Sequence, residues 1–201
     1  MNRKPGRPRG LTVEAIAQAA LDDGIGTFSM PSVARRLGVA HSGLYRYVED
    51  RDDLLVQALD VAADRESWPE PDLPWEELLS EISETVWRMC ERYPGLDRAF
   101  QQIPRPAPSV LARMEKYIES LQDQRFLSED AAVAVEFAIT LVFDCSAHMR
   151  NYAAMQAAHP DRKGLLVLKA YDIDEVWVGR GFYFRKRDIF MAGLRTRRVD
   201  S

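Results

Sequence analysis

The feature that most constrains the fold is a pair of short amphipathic segments joined by a glycine, "FSMPSVARRLGVAHSGLYRYV", residues 28–48. Ser29 is a good N-cap, and Pro31 suits the first turn of a helix because no intrahelical N–H bond is needed there. This second helix of the chain stops before Gly38, which makes the turn, and a third helix is predicted over residues 41–48. Two short helices with this turn predict a helix-turn-helix unit.

The two sides of the predicted third helix differ in chemistry. Leu44 and Val48 lie four residues apart and share the side that can pack on the second helix. The outer side and its flanks carry His41, Ser42, Gly43, Tyr45, Arg46 and Tyr47. Tyrosine hydroxyls and arginines bind phosphates, arginine also reads guanine, and glycine permits close backbone approach. The alternative interpretation is that the tyrosines are packing residues and the charged groups are solvated.

Charge is distributed unevenly along a chain whose net charge is −4. Residues 1–51 contain eight Lys or Arg and five Asp or Glu, whereas residues 52–201 contain nineteen basic and twenty-six acidic residues. A basic head on an acidic body indicates a localised anionic partner, for which DNA is the natural candidate.

The first ten residues form a basic segment interrupted by proline and glycine, which predicts a flexible arm. Its candidate DNA-binding residues are Arg3, Lys4, Arg7 and Arg9. The stretch "KPGRPRG" looks like an AT-hook core, in which Gly-Arg-Pro lies extended along a narrow A·T minor groove. The alternative is a disordered tail without a role in DNA binding.

Helical periodicity in the rest of the sequence predicts an all-α chain. A first helix is predicted from its N-cap Thr12 to about residue 23, and a fourth from its N-cap Asp50 to about residue 66. Prolines at 69, 71 and 74 mark a boundary after the fourth helix. The expected domains are therefore an arm at 1–10, a helix-turn-helix domain with its linking helix at 11–66, and a helical domain at 67–201.

The later helices are placed by their apolar repeats. They are expected around residues 78–89, 110–121, 129–157 and 185–197, the last with Ile189, Phe190 and Leu194 facing inward. Residues 165–184 are rich in β-branched and aromatic side chains, and we interpret them as loop and irregular helix.

Residues 28–55, "FSMPSVARRLGVAHSGLYRYVEDRDDLL", resemble the DNA-binding domain of the TetR family of bacterial transcription regulators. The match covers about residues 11–60 and is closest in "LGV", "GLYRYV" and "EDRDDLL". The resemblance implies a three-helix helix-turn-helix domain joined by helix 4 to a larger helical ligand-binding and dimerisation domain. It also implies that the outer residues of the third helix face DNA and that Arg51 lies near a phosphate; Ser29 is a further DNA-binding candidate.

The sequence departs from the family pattern at two positions. Many relatives have serine where this chain has Ala40, so the third helix lacks its usual cap. Pro31 occupies a position where some relatives have a base-contacting arginine, so that contact does not carry over.

By the same resemblance, residues 67–201 form a homodimer and bind a small-molecule effector. Polar residues recur at helical spacing on the long apolar helix: Glu136, Thr140, Asp144, His148 and Asn151. This stripe lines a cavity, or else it is the solvent side of the helix or part of the dimer interface. The effector-binding candidates are Trp87, Cys90, Met114, Tyr117, Phe137, Thr140, Asp144 and His148, the apolar ones having plain core packing as the alternative.

Other classes of protein are disfavoured by what the sequence lacks. Asp144 and His148 could share a metal ion, but no third ligand is evident, so no metal or other cofactor is expected. No catalytic motif is present, which argues against an enzyme. No stretch reaches the ~20 apolar residues of a membrane helix. Two cysteines without a CxxC pair suit the cytoplasm.

The expected function is a repressor that binds a palindromic operator in double-stranded DNA as a dimer and is released by its effector. The alternative is an activator, or an architectural protein of A·T-rich DNA, without effector control.

Overall fold

The computed structural model describes residues 10–158, 180 and 183–199. These residues form nine helices and no strand, which confirms the all-α prediction. The helices are α1 (Val13–Gly24), α2 (Met30–Leu37), α3 (His41–Leu44), α4 (Arg51–Asp64), α5 (Trp75–Arg92), α6 (Leu96–Phe100), α7 (Pro108–Asp123), α8 (Ser128–Ala158) and α9 (Tyr183–Arg195). The basic arm lies outside the described residues except for its last glycine, as does nearly all of the segment 165–184.

The helix starts of the N-terminal head follow the predicted capping chemistry. The Thr12 hydroxyl accepts a hydrogen bond from the Ala15 N–H at 3.2 Å and begins α1. Ser29 and Ser32 form a capping box at the start of α2, each side chain accepting from the other residue's backbone N–H. Gly38 ends α2 with a φ of +67°, a left-handed conformation that glycine adopts without strain.

The third helix is shorter than the predicted 41–48. It ends at Leu44, and residues 45–47 form turns in which the Tyr47 N–H bonds to the Leu44 carbonyl at 2.9 Å. Ala40 provides no side-chain cap, and Gly43 is a weak helix former, so little stabilises a longer helix here. Leu44 and Val48 are nevertheless both buried, as their spacing predicted.

The C-terminal body is built around α8, which packs against α5, α6, α7 and α9. Contact on several sides explains why its sequence is apolar nearly all round. By length and composition alone its segment Ser128–Met155 could cross a membrane, which corrects the expectation that no segment is long and apolar enough. Its position among four packed helices is that of a core helix. The short helix α6 was not predicted.

One of the three residues predicted to face inward from the last helix, Ile189, faces outward instead. Ile189 is 68% exposed, whereas Leu194 is buried and Phe190 is half-buried. The buried residues of α9 are Tyr183, Met191 and Leu194. Ile189 is two residues before Met191, so its side chain projects from the other side of the helix.

Head and body meet through bare backbone at two glycines. Gly26 lies in the turn between α1 and α2, and Gly95 precedes α6 with a φ of +92°. A Cβ atom on Gly26 would lie 3.2 Å from the carbonyl oxygen of Gly95. Glycine at residue 26 therefore permits the head to approach the body this closely.

We expect Gly26→Ala to lower the free energy of unfolding by about 1 kcal/mol or more, because the added methyl group overpacks a backbone contact. Urea unfolding followed by circular dichroism measures the change. Gly10→Ala is the matched control, since a Cβ there has no atom within 4 Å. Equal stability of the two variants would show that the head–body contact relaxes without cost.

Candidate DNA-binding surface and effector cavity

The recognition segment, residues 41–47, exposes most of its predicted DNA-binding side chains. His41, Ser42 and Arg46 are exposed, and Tyr45 and Tyr47 are 48% and 40% exposed. The Tyr45 hydroxyl lies 3.3 Å from Nε2 of His41, and their rings pack edge to face. Buried Leu44 anchors this surface to the head from below.

Gly43 is half-buried in the middle of the recognition segment. A Cβ atom built on it would have no heavy atom within 4 Å. Packing within the described chain therefore does not require glycine at this position, whereas the close approach of another molecule would.

Ser29 and Arg51 have contacts within the head itself. The Ser29 side chain takes part in the capping box of α2. Nε of Arg51 donates to the Phe28 carbonyl at 3.3 Å, and its guanidinium lies 4.9 Å from the centre of the Phe28 ring. Arg51 thus joins the start of α4 to the entry of α2, and its DNA contact stays a prediction. The arm residues Arg3, Lys4, Arg7 and Arg9 lie outside the described residues.

An apolar cavity of about 40 Å³ lies where the head's last helix meets the body. Its lining comes from α4 to α8 and their connecting loops: Leu59, Trp68, Val86, Met89, Leu96, Phe100, Ile103, Pro106, Ala107, Val110, Ile139 and Phe143. The Trp68 Nε1–H donates to the Ala63 carbonyl at 2.8 Å and is already satisfied. The wall therefore suits a molecule that presents apolar surface.

None of the predicted effector-binding residues lines this cavity. Trp87 packs edge to face on the Tyr183 ring, and Phe137 packs on Phe190 at 4.3 Å between ring centres. Tyr117 is buried, and its hydroxyl donates to the Pro69 carbonyl at 2.9 Å. Met114 is a half-buried neighbour of the core.

Burial raises the pKa of two of these candidates. The pKa of the Tyr117 hydroxyl rises to about 12 because the ring is removed from water. The pKa of the half-buried Cys90 thiol also rises to about 12 for the same reason. Both groups stay protonated at neutral pH, and a protonated thiol is a poor nucleophile.

The polar stripe of α8 lies on the outer side of the helix. Glu136, His148 and Asn151 are exposed, and Thr140 and Asp144 are half-buried. Asp144 accepts from Nζ of Lys186 on α9 at 3.0 Å, and Nδ1 of His148 lies 2.8 Å from the Asp144 carbonyl oxygen.

The stripe does not line the apolar cavity, and its exposure agrees with either remaining alternative, the solvent side of α8 or part of a dimer interface. Within the described part of the chain, no group of three or more His, Cys, Asp or Glu lies close enough together to hold a metal ion.

Sequence reasoning missed the part of α4 that faces the body. Leu59 lines the cavity, while three aspartates of the same helix bond to the body: Asp53, Asp60 and Asp64. Two features of the sequence could have indicated this contact. Helix α4 carries more apolar residues than one packing face needs, and its aspartates recur at helical spacing.

Comparison with known proteins gives relatives by sequence and by structure. No protein-family model matches the chain. It is 30% identical over 135 residues to the HTH-type transcriptional repressor DrrR1 of Streptomyces coeruleorubidus. The aligned residues cover 66% of this chain and 50% of that protein. The chain thus aligns with half the length of this curated relative.

Solved structures resemble the chain over nearly its whole length. The Streptomyces coelicolor TetR family protein ActR in complex with actinorhodin superposes with a TM-score of 0.73 at 21% identity, covering 94% of this chain and 98% of that one. A TetR variant of Acinetobacter baumannii in complex with minocycline gives a TM-score of 0.68 at 17% identity, covering 93% and 96%. The resemblance to the TetR family is confirmed in structure: the chain has the TetR-family fold, a helix-turn-helix head on a helical body.

Proposed function

We propose that this chain is a cytoplasmic transcriptional repressor that binds an operator in double-stranded DNA as a homodimer and is released by a small apolar effector. The observation that carries the proposal is α4, which begins beside the exposed recognition segment and also lines the apolar cavity of the body. One helix thus connects a surface suited to DNA with a site suited to a small molecule.

The recognition segment supports the DNA-binding part of the proposal. Two tyrosines and an arginine are exposed on it, and each can bond phosphate or base edges. Gly43 leaves room for close approach at its centre. The relative in Streptomyces coeruleorubidus is named a transcriptional repressor, which favours repression over activation.

Exposed apolar side chains support a homodimer. Val133 of α8 is 57% exposed, and Phe184 and Ile189 of α9 are exposed as well. Helices α8 and α9 pack against each other, and each exposes apolar side chains on the outside of the body. A second copy of the chain covering this surface would remove it from water, which is favourable.

The cavity supports a small-molecule effector. Similar structures are of ActR with actinorhodin and of a TetR variant with minocycline, so this fold accommodates small molecules in related proteins. A volume of about 40 Å³ has room for only a few water molecules, so a larger effector has to displace the cavity walls. Leu59 is one of those walls, and its displacement would move α4.

The first experiment is selection of bound duplexes from a random DNA library at fixed, near-physiological salt. We expect an inverted repeat, because a twofold dimer presents two recognition segments. Recovery of A·T-rich DNA without a repeat would favour the architectural alternative. No enrichment at all would contradict the proposal.

On the selected duplex, we expect Arg46→Ala to weaken binding by about tenfold or more, since an arginine contact with a base contributes ~1–3 kcal/mol. Fluorescence anisotropy measures the dissociation constant. Arg65→Ala is the matched control, because Arg65 is an exposed arginine at the other end of α4. Equal losses in the two variants would limit Arg46 to a general charge effect.

We expect Ile189→Glu to convert the dimer to a monomer, because an unpaired carboxylate buried in an apolar interface is strongly unfavourable. Light scattering after size exclusion measures the mass. Leu111→Glu is the control, since Leu111 is exposed on α7 rather than on α8 or α9. This interface would be ruled out if the wild type is a monomer, or if the Ile189→Glu variant remains a dimer.

We expect Val110→Phe to weaken binding of the neutral fluorescent probe N-phenyl-1-naphthylamine by at least about tenfold, because the larger ring fills the cavity. The matched control is Leu111→Phe, which enlarges the exposed neighbour of Val110. Probe fluorescence gives the affinity, and thermal unfolding verifies that both variants are folded. Unchanged affinity in Val110→Phe would place the probe outside this cavity.

A further inference from the structure

Three aspartates on one side of α4 bond to successive donors of the body. Asp53, Asp60 and Asp64 are seven and four residues apart and so share a face of the helix. Asp53 accepts from Nη2 of Arg105 at 3.0 Å, and Asp64 accepts from Nη2 of Arg113 at 2.7 Å. We call these contacts, with the one at Asp60 between them, the aspartate ladder.

The middle contact is made to the start of a helix. Oδ1 of Asp60 accepts from the Ser109 N–H at 2.8 Å, in the first turn of α7. A carboxylate there satisfies a free N–H group and interacts favourably with the helix dipole. The donors at 105, 109 and 113 are thus spaced by four residues and run in the same direction as α4.

The aspartate ladder borders the apolar cavity. Leu59, next to Asp60, lines the cavity, as do Pro106, Ala107 and Val110 beside the donors of the ladder. The ladder therefore ties α4 to the segment that an occupant of the cavity would displace.

The first contact of the ladder continues to the recognition segment. While Oδ1 of Asp53 accepts from Arg105, Oδ2 accepts from the Glu49 N–H at 3.1 Å. Glu49 follows buried Val48, which comes directly after the recognition segment. One carboxylate thus connects a body arginine to the backbone beside the tyrosines.

The first contact is exposed at its Arg105 end, which weakens it as a stabilising interaction. The side chains of Arg105 and Asp53 are 53% and 17% exposed. Ion pairs of this kind add little to global stability because water and salt screen them. Fixing the orientation of Asp53 toward Glu49 is a role for which a weak but directional contact is sufficient.

We propose that the aspartate ladder couples the cavity to the DNA-binding surface, and that Arg105 is a positioning residue for the recognition segment. The proposal rests on the function proposed above. A molecule that moves residues 106–110 away from Leu59 shifts the donors of the ladder, and the carboxylate of Asp53 transmits that shift to Glu49.

Hydrogen exchange of the full-length protein tests the proposal without DNA. We expect Arg105→Gln to speed exchange of the amides at residues 47–49 by about two- to fivefold, the size of one exposed ion pair. Arg105→Lys keeps the charge and should restore the wild-type rate. Arg98→Gln is the control, because Arg98 is exposed on α6 and has no ion-pair partner among the described residues.

The probe N-phenyl-1-naphthylamine tests the link to the cavity. We expect saturating probe to change exchange at residues 47–49 in the wild type and in Arg98→Gln but not in Arg105→Gln. The proposal is overturned if Arg105→Gln exchanges like Arg98→Gln, or if the probe leaves the wild type unchanged. Failure of the wild type to select any duplex would instead refute the proposed function, while the exchange data still decide the coupling.

Discussion

The structure depends on the burial of α4 from two sides. Its apolar residues pack against α1 in the head, and Leu59 lines the cavity of the body. Seven of its residues are buried: Leu54, Leu55, Val56, Ala58, Leu59, Ala62 and Ala63. Because closely packed interiors transmit strain, we expect a displacement of the cavity wall to reach the head through α4.

Apolar packing alone would leave the position of α4 along the body poorly defined, because it has no direction. The bonds of Asp53, Asp60 and Asp64 supply that direction, each fixing one donor against one carboxylate. The contact of Gly26 with Gly95, the residue before α6, adds a second restraint between head and body. The head is therefore held to the body by a backbone contact before α6 and by side-chain bonds after α6.

Local chemistry was readable from the sequence wherever a single turn decides the structure. Ser29, Gly38 and Asp50 cap or end their helices as predicted, because each does so through its own side chain or backbone conformation. The spacing of Leu44 and Val48 likewise placed them in the core. The end of α3 was missed because residues 45–47 form turns, with the Tyr47 and Val48 N–H groups both bonded to the Leu44 carbonyl, and hydrophobic periodicity does not distinguish such turns from a continuing helix.

The cavity was beyond sequence reasoning for a different reason. Apolar residues that line a cavity and apolar residues of a filled core have the same periodicity, so Phe100 and Val110 cannot be told from Tyr117 or Trp87. What distinguishes them is how five helices meet, a property of the tertiary structure alone. The aspartate ladder did leave a signal in the sequence, since aspartates seven and four residues apart share one face of a helix. The sequence could therefore indicate a polar face on α4, but not its partners Arg105, Ser109 and Arg113, which only the tertiary structure brings beside that face.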